Sequence, residues 1–536
     1  MQIQFGYFLP FHAGKPTVSA EQGIAKTPLY SLLNKQPARD LVLFGGKAIE
    51  ARPLAEKVEN HVPVVVVGGG VAGLTAMYEL VGKHQVPALL LESKDYLGGN
   101  ARAAASPKNV PHPAGATIFL PGGREHRRLW QELELPLTPE NSLKPEIIIL
   151  PTGERFTPFG TREELAEFKP SSPAAKAARQ SFQQMLRDLK EIARSPRQAI
   201  TVPIQNATRR ALEKWGNMSF AEFLARYNPL AAKIADTYIR SDLAAPSDDV
   251  AAYAGMVDLE DLNNPRYVLP GGNGYVCNQM AAKINQTAKA QGHTESPLQI
   301  RNVVTRIEQT KNRALVQYRD PKGELHVLSA DHVLMAAPYQ EVPRLMKVPA
   351  RVQAVMDSVR KSSYAIVNIY LNKTPVKTHQ FYMLPHSKYI ADLVVNTKDQ
   401  TLDHKPVSVN EPSVMSIYTA YTGRKRDWEK FKAEIRKEIL RYFPEIKPEM
   451  IDDIRVNPFR YAMGATAPGQ MAKLRDMPRT LGRVTFINSD GGGVPSIITA
   501  VDEARNGVKT ALAALPAEAF NANQNTSRNA PPVAAP

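Results

Sequence analysis

The apolar positions of the chain gather into a few sharply patterned runs separated by longer polar stretches. Residues 62–67, β-branched at every position but Pro63, predict a buried strand. A glycine-rich turn follows, Gly68-Gly69-Gly70-Val71-Ala72-Gly73, and residues 74–81 then take up the helical period. Residues 88–91 form a second short apolar run ending on Glu92. Downstream, alternation over 364–370 predicts a strand, and 414–421 predicts another. Residues 484–487 predict one more, leading through the turn 488–493 into a helix over 496–512 with Ile497, Val501, Ala504 and Val508 on one stripe. Two other stretches are amphipathic. In 173–194, Phe182, Met185, Leu186, Leu189 and Ile192 share a face, with Lys176, Arg179, Arg187, Lys190 and Arg194 elsewhere; farther on, Trp428, Phe431, Ile435 and Ile439 recur at helical spacing. Both stripes are expected to be core contacts, although the first has the make-up of a helix lying on an anionic membrane.

Length and charge narrow the class. The chain has 536 residues, more than a single domain of about 100 to 150 residues holds, so one large composite fold or two to three domains are expected. Hydrophobic residues make up 43% and charged residues 22%, and no stretch approaches the roughly 18 consecutive apolar residues of a membrane-spanning helix. The formal charge of +15 favours an anionic partner. Basic residues are dispersed among acidic ones with no recognition motif, so nucleic-acid binding is not expected, whereas contact with a membrane surface or an acidic substrate remains open. Cys277 is the sole cysteine, which excludes an internal disulfide and a multi-thiolate metal site. The eleven histidines form no HExxH or similarly spaced pair, so no metal is expected.

The first ten residues lack a basic n-region, and Gly6 and Pro10 break their apolar run, so no export signal is legible. The compartment stays open between the cytoplasm and, if a presequence was removed, the periplasm. Residues 1–61 read as an arm and 516–536 as a polar, Pro-rich disordered tail.

The chemistry begins at the glycine turn. Strand, glycines and helix together suit a dinucleotide: Gly68 makes the tight turn, Gly70 lets backbone approach a pyrophosphate, and Gly73 lets the helix lie close to the strand. The helix start offers free N–H groups to the phosphates. Glu92 stands nineteen positions beyond Gly73, where a carboxylate accepts from the adenosine ribose hydroxyls. Beyond it the chain reads Ser93-Lys94-Asp95-Tyr96-Leu97-Gly98-Gly99-Asn100-Ala101-Arg102.

With this stretch the sequence resembles the FAD-dependent amine oxidase superfamily, which includes monoamine and polyamine oxidases, L-amino acid oxidases, phytoene desaturases and protoporphyrinogen oxidases. The resemblance runs over about residues 62–515. It implies an α/β fold in which a Rossmann-type FAD-binding domain is interleaved with an α+β substrate domain built on an antiparallel sheet. The implied division is 62–124, 266–345 and 476–515 for FAD binding, and 125–265 (largely helical) and 346–475 for substrate. It also implies roles for particular residues. Gly98 and Gly99 bring a second backbone stretch onto the pyrophosphate. The family's arginine is replaced by Asn100, and Arg102 is expected to take over its phosphate contact. Gly115, Ala116 and Thr117 pass the flavin ring, Val304 meets the adenine through its backbone, and Ala337 ends the strand returning to the flavin. Asp490 accepts from ribityl hydroxyls, and Ser496 and Ile497 open a helix whose positive end faces the flavin. Val71, Ala72, Ser93 and Ala101 complete the cofactor-binding set.

On the substrate side the resemblance implies a lysine near the flavin and an aromatic clamp. Lys347 follows the Ala336-Ala337-Pro338 segment with three extra residues intervening, and Tyr461 offers one aromatic wall. The stretch Val494-Pro495-Ser496-Ile497 carries no aromatic side chain, so a two-walled cage is not expected. Cys277 does not occupy the position used for covalent flavin attachment in monoamine oxidases, so FAD is expected without a covalent link. The implied activity is hydride transfer from a substrate C–H, that of an amine or amino acid, to flavin N5, with oxygen or another electron acceptor. Two alternatives stand beside it: a desaturase-like flavoenzyme acting on an isoprenoid-type substrate at a membrane, and a flavin-binding protein without catalysis. The small-molecule substrate, the acceptor and the oligomeric state are not legible.

Overall fold

The β-branched run forms the central strand and starts two residues earlier than its pattern predicts, as Asn60–Val67. The reason is its neighbour: Leu325–Met335 is eleven residues long and pairs with it in parallel from Asn60 opposite Leu328 to Val67 opposite Met335. The computed structural model describes Leu54 and residues 58–137, 145–375, 381–398, 408–421 and 427–520. The expected arm therefore lies outside the described residues except for Leu54 and 58–61, and the expected tail except for 516–520, where Ala517–Phe520 make a single helical turn.

Two large sheets alternate along the chain. The first has eight strands, with Ala88–Glu92 and Leu298–Ile300 continuing the parallel set on one side of Asn60–Val67. On the other side Val303–Gln309, Ala314–Arg319 and Leu325–Met335 form an antiparallel meander, and Val484–Phe486 joins in parallel beside Leu325–Met335. The helix Val71–Met77 packs on this sheet together with Ile497–Ala514, whose predicted stripe is buried throughout. A Cβ on Gly507 would lie 2.2 Å from Ile487 Cγ2, so this helix sits closer to the sheet than a side chain there permits.

The second sheet has seven strands in the order Ile451–Thr466, Val359–Leu371, Ser413–Tyr421, Asp392–Thr397, Phe381–Met383, Ile147–Ile149 and Arg155–Phe156. It is antiparallel except between Phe381–Met383 and Ile147–Ile149. Alternation gives it two faces. Ala365, Val367 and Ile369 turn toward Phe431, Ile435 and Ile439 of the helix Trp428–Tyr442, so that stripe is core. Tyr364 and Ile366 turn the other way, with Phe381, Val394, Tyr418, Phe459 and Ala462.

The helix Pro173–Ala193 begins as its sequence directs, with the Ser172 hydroxyl accepting from Ala175 N and proline at the first position. Its apolar stripe packs into the core with Phe159, Ile234 and Tyr238. Each such side chain contributes about 1.5 to 3 kcal/mol by leaving water. The stripe is thus occupied by protein, as the core-contact expectation has it, and is not left free for a membrane. No helix among the described residues is long and apolar enough to cross a membrane.

Candidate cofactor and substrate site

Gly68 has φ +107°, a left-handed conformation natural to glycine, and its N–H donates to Leu91 O at 2.9 Å as the chain leaves the strand. A Cβ on Gly73 would lie 1.9 Å from Gly68 O, so the fold itself requires this glycine. Gly70 is different. Its φ of −76° suits any residue, and a Cβ there meets no atom within 4 Å. Space is left in front of a backbone that has no internal need for it, which is what a bound pyrophosphate requires. The helix Val71–Met77 has no side-chain cap, so the first-turn N–H groups beginning at Val71 and Ala72 face the same space.

The second glycine pair docks on the first. Gly98 N donates to Gly69 O at 2.8 Å, and a Cβ on Gly99 would stand 3.2 Å from Gly70 Cα. Gly99–Ala101 then make a 3-10 turn. Glu92, buried at the end of its strand, accepts from Gly69 N at 2.6 Å through Oε2, and from Lys94 N at 2.7 Å and Ser93 Oγ at 3.1 Å through Oε1. These donors fix the carboxylate and leave about one lone-pair site, on Oε2, for a ribose hydroxyl. Asn302 N donates to Glu92 O at 2.8 Å and so brings Val304 beside the same strand end.

Asn100 and Arg102 reach beyond the glycine turns. The Asn100 side-chain amide turns away from the glycines and donates to the carbonyl of Ala462 and, at 3.3 Å, to that of Tyr461. Its main-chain oxygen accepts from Ala116 N at 2.8 Å, and a Cβ on Gly115 would lie 2.3 Å from that oxygen. Arg102 lies between the glycine turn and the second sheet. Its Nε donates to Ala114 O at 3.2 Å, and its guanidinium lies between the rings of Tyr96 and Phe459, at 4.6 and 4.8 Å from their centroids. That is a cation held by two aromatic faces, with no carboxylate partner among the described residues.

The segment 115–117 leaves polar atoms without partners among the described residues. Ala116 is exposed, while the buried Thr117 Oγ1 and Asn273 Oδ1 have no hydrogen-bond partner, although Asn273 holds Ala116 O through its N–H at 2.9 Å. On the returning strand Asn488 Nδ2 donates to Ala337 O at 2.9 Å. Asp490 is buried in the turn Ser489–Gly492, which Arg479 and Gln205 hold by donating to Gly491 O, the latter at 3.2 Å. Ser496 caps the last helix, accepting from Thr499 N at 3.1 Å, and Ile497 is buried in its first turn.

Tyr461 lies where Ile451–Thr466 bulges: Ser362 pairs with Met463 and Tyr364 with Phe459, so between these pairs one residue of Val359–Leu371 faces three of Ile451–Thr466. A bulge of this kind re-aims side chains. Lys347 is exposed on the loop after Val342–Leu345, and among the described residues neither a hydrogen bond nor an ion pair ties it to the cofactor loops. Cys277 is buried, its Cβ 3.5 Å from where a Cβ of Gly98 would stand, and burial pushes its thiol up to about 12. Sequence reasoning missed Tyr96 and Phe459 around Arg102, and also Asn273 and Asn488. The two asparagines had a legible signal, each standing at a glycine turn that follows an apolar strand.

Residues 71–498 match the family described as flavin containing amine oxidoreductase, and the chain belongs to that family. It is an FAD-dependent oxidoreductase that takes a small-molecule substrate and passes electrons to an acceptor. Among curated proteins, oxidoreductase PigB of Serratia sp. (strain ATCC 39006) is 25% identical, with 84% of this chain and 75% of that protein covered. Among solved structures, a redesigned putrescine oxidase superimposes with a TM-score of 0.65 at 16% identity, covering 84% of this chain and 99% of that one. A fatty acid isomerase from P. acnes, producing CLA, gives 0.60 at 12% identity over 84% and 99%. At these identities the structural likeness speaks for the fold.

Proposed function

We propose that the protein oxidises an amine or amino acid at the carbon bearing nitrogen. FAD, when bound, supplies the two-electron acceptor. Gly68, Gly70, Gly73, Gly98 and Gly99 would cradle its pyrophosphate, with Val71, Ala72 and Ala101 at the helix and turn starts. Glu92, steadied by Ser93, would hold the ribose, Val304 the adenine side, and Asp490 the ribityl chain. Gly115, Ala116, Thr117, Ala337, Ser496 and Ile497 would surround the flavin ring. We further propose the domain division 62–124, 266–345 and 476–515 against 125–265 and 346–475, and a non-covalent cofactor. The last is supported by a Cys277 thiol too buried and too basic to attack, and acid precipitation should leave all flavin in solution.

One observation carries the substrate reading: the cofactor turn is tied directly to an aromatic sheet face, through Asn100 to Tyr461 and Ala462 and through Arg102 to Phe459. This chain's residues thereby place substrate against the cofactor and exclude water from it. Of the two side chains expected to act on substrate, Tyr461 has its main-chain carbonyl tied to a cofactor loop, and Lys347 has no such tie among the described residues. Anaerobic mixing of the holoenzyme with amines and amino acids should bleach the visible flavin band. The rate should rise with pH through the substrate's amine pKa, because a neutral nitrogen lone pair drives the transfer. A flavin bleached only by lipophilic hydrocarbons would instead favour a desaturase-like enzyme, a reading the non-aromatic stretch Val494 to Ile497 and the fold of the fatty acid isomerase support.

A further inference from the structure

The turn that carries Asp490 is gripped by side chains outside the expected cofactor set. Gly491 is walled by three polar groups: a Cβ there would stand 2.9 Å from the Tyr339 hydroxyl, 3.1 Å from Glu503 Oε2 and 3.2 Å from Arg479 Cζ. The next two glycines are as tightly enclosed. A Cβ on Gly492 would lie 1.9 Å from Thr499 Cγ2, and one on Gly493 would lie 3.0 Å from Ile204 Cβ. The path of the turn Ser489–Gly492 is therefore set by residues as far apart in the chain as Ile204 and Glu503.

Arg479 is the junction of this grip. Its Nη2 donates to Gly491 O, its Nη1 donates to Leu474 O at 3.4 Å, and its Nε lies 3.4 Å from Glu503 Oε2. Leu474 belongs to the helix Met471–Asp476 and Glu503 to Ile497–Ala514, so one planar guanidinium joins two helices to the turn between them. Glu503 is 4% exposed; burial raises its carboxyl, and the Arg479 charge opposes that rise. The Tyr339 hydroxyl is fully buried among Arg479, Glu503 and Asp490, and it has no hydrogen-bond partner among the described residues. Tyr339 stands two residues beyond Ala337, whose carbonyl Asn488 holds, so the returning strand and the turn meet at this cluster. A buried ion pair adds little net stability over apolar packing, and what it supplies here is a fixed direction for the backbone it grips.

We propose that Arg479 and Glu503 are positioning residues for the cofactor, which by gripping Gly491 fix the angle at which Asp490 meets the ribityl chain of FAD. This rests on the reading of Asp490 as the ribityl acceptor. Both residues act through the turn, so their contribution to FAD binding exists only while Asp490 is there to be aimed.

The test is a double-mutant cycle on the full-length holoenzyme, read as the FAD dissociation constant from the fluorescence of flavin released on dilution. Asp490→Ala should raise this constant about tenfold, and Arg479→Gln should raise it by a similar factor, each change removing a hydrogen bond to a charged group. The two together should raise it little more than either alone, because both abolish the same contact. Arg479→Lys, which keeps the charge and a donor, should stay within about threefold of the wild type. Glu503→Gln is nearly isosteric and decides the matter should Arg479→Gln fail to fold: it should weaken FAD binding alone and add little to Asp490→Ala. Losses that add in the double variants would mean that the pair serves the fold and not Asp490, and would overturn the proposal. Unchanged binding in Arg479→Gln and Glu503→Gln beside a weakened Asp490→Ala would overturn the positioning role and leave the ribityl reading standing. Unchanged binding in Asp490→Ala would overturn both.

Discussion

Gly70 and Gly73 stand three residues apart in one turn and should respond oppositely to a side chain. At Gly73 an added Cβ meets Gly68 O at 1.9 Å, so Gly73→Ala must push the helix off the strand and should cost about 1 to 3 kcal/mol in thermal or denaturant unfolding. At Gly70 the added carbon meets nothing, so Gly70→Val should unfold like the FAD-free wild type and be isolated colourless, its side chain filling the cradle. A yellow, fully loaded Gly70→Val protein would refute the placement of the pyrophosphate. The glycine pattern was legible because backbone demands are local. Asn100 and Arg102 were not, because their partners, Tyr461, Ala462 and Phe459, lie some 360 positions away and only the folded sheet brings them near.

At the scale of elements, period and burial agreed wherever one face met a core. The stripe on Ile497–Ala514 and the alternation in Val359–Leu371 are both found as predicted, since each element has one packed side. What periodicity did not convey was the bulge at Tyr461, where two strands pair out of step and a residue count alone gives no signal. The start of Ile497–Ala514 carries the sharpest expectation here. Ser496 accepts from Thr499 N, its hydroxyl stands 3.0 Å from Thr499 Oγ1, and Thr499 Oγ1 donates to Val494 O at 2.8 Å, so one small network sets the angle at which the helix enters. Ser496→Ala should lower stability by about 1 kcal/mol, the usual worth of a cap. It should also weaken FAD retention on dilution, because the loosened turn adjoins Asp490. Lost stability with unchanged retention would show that the cap serves the helix alone.

For the whole molecule, interleaving two sheets along one chain places a strongly acidic interior inside a protein of net charge +15. That arrangement has a pH signature. Asp261, whose neighbours include Glu260, Asp242 and Arg266, has its carboxyl pushed up to about 7 by burial and by those acids. In the unfolded chain it titrates near the ordinary aspartate value of about 3.9. Between these values the folded state holds a proton that the unfolded state has released, so the carboxyl makes folding progressively less favourable as pH rises from about 4 to about 7, and no further above that. Two buried histidines act the other way. His112 and His332 are pushed down to about 4 by burial, so below their ordinary pKa the unfolded chain takes up protons they refuse, and stability rises with pH over about 4 to 6.5. The raw melting profile mixes both effects, but a comparison of variants separates them, because the histidines are common to both proteins. The melting temperature of Asp261→Asn, less that of the wild type, should climb from pH 4 to pH 7 and then level off. A difference that stays constant across that range would mean that Asp261 ionises as freely in the fold as in water, and the account of an acid-crowded interior would fall with it.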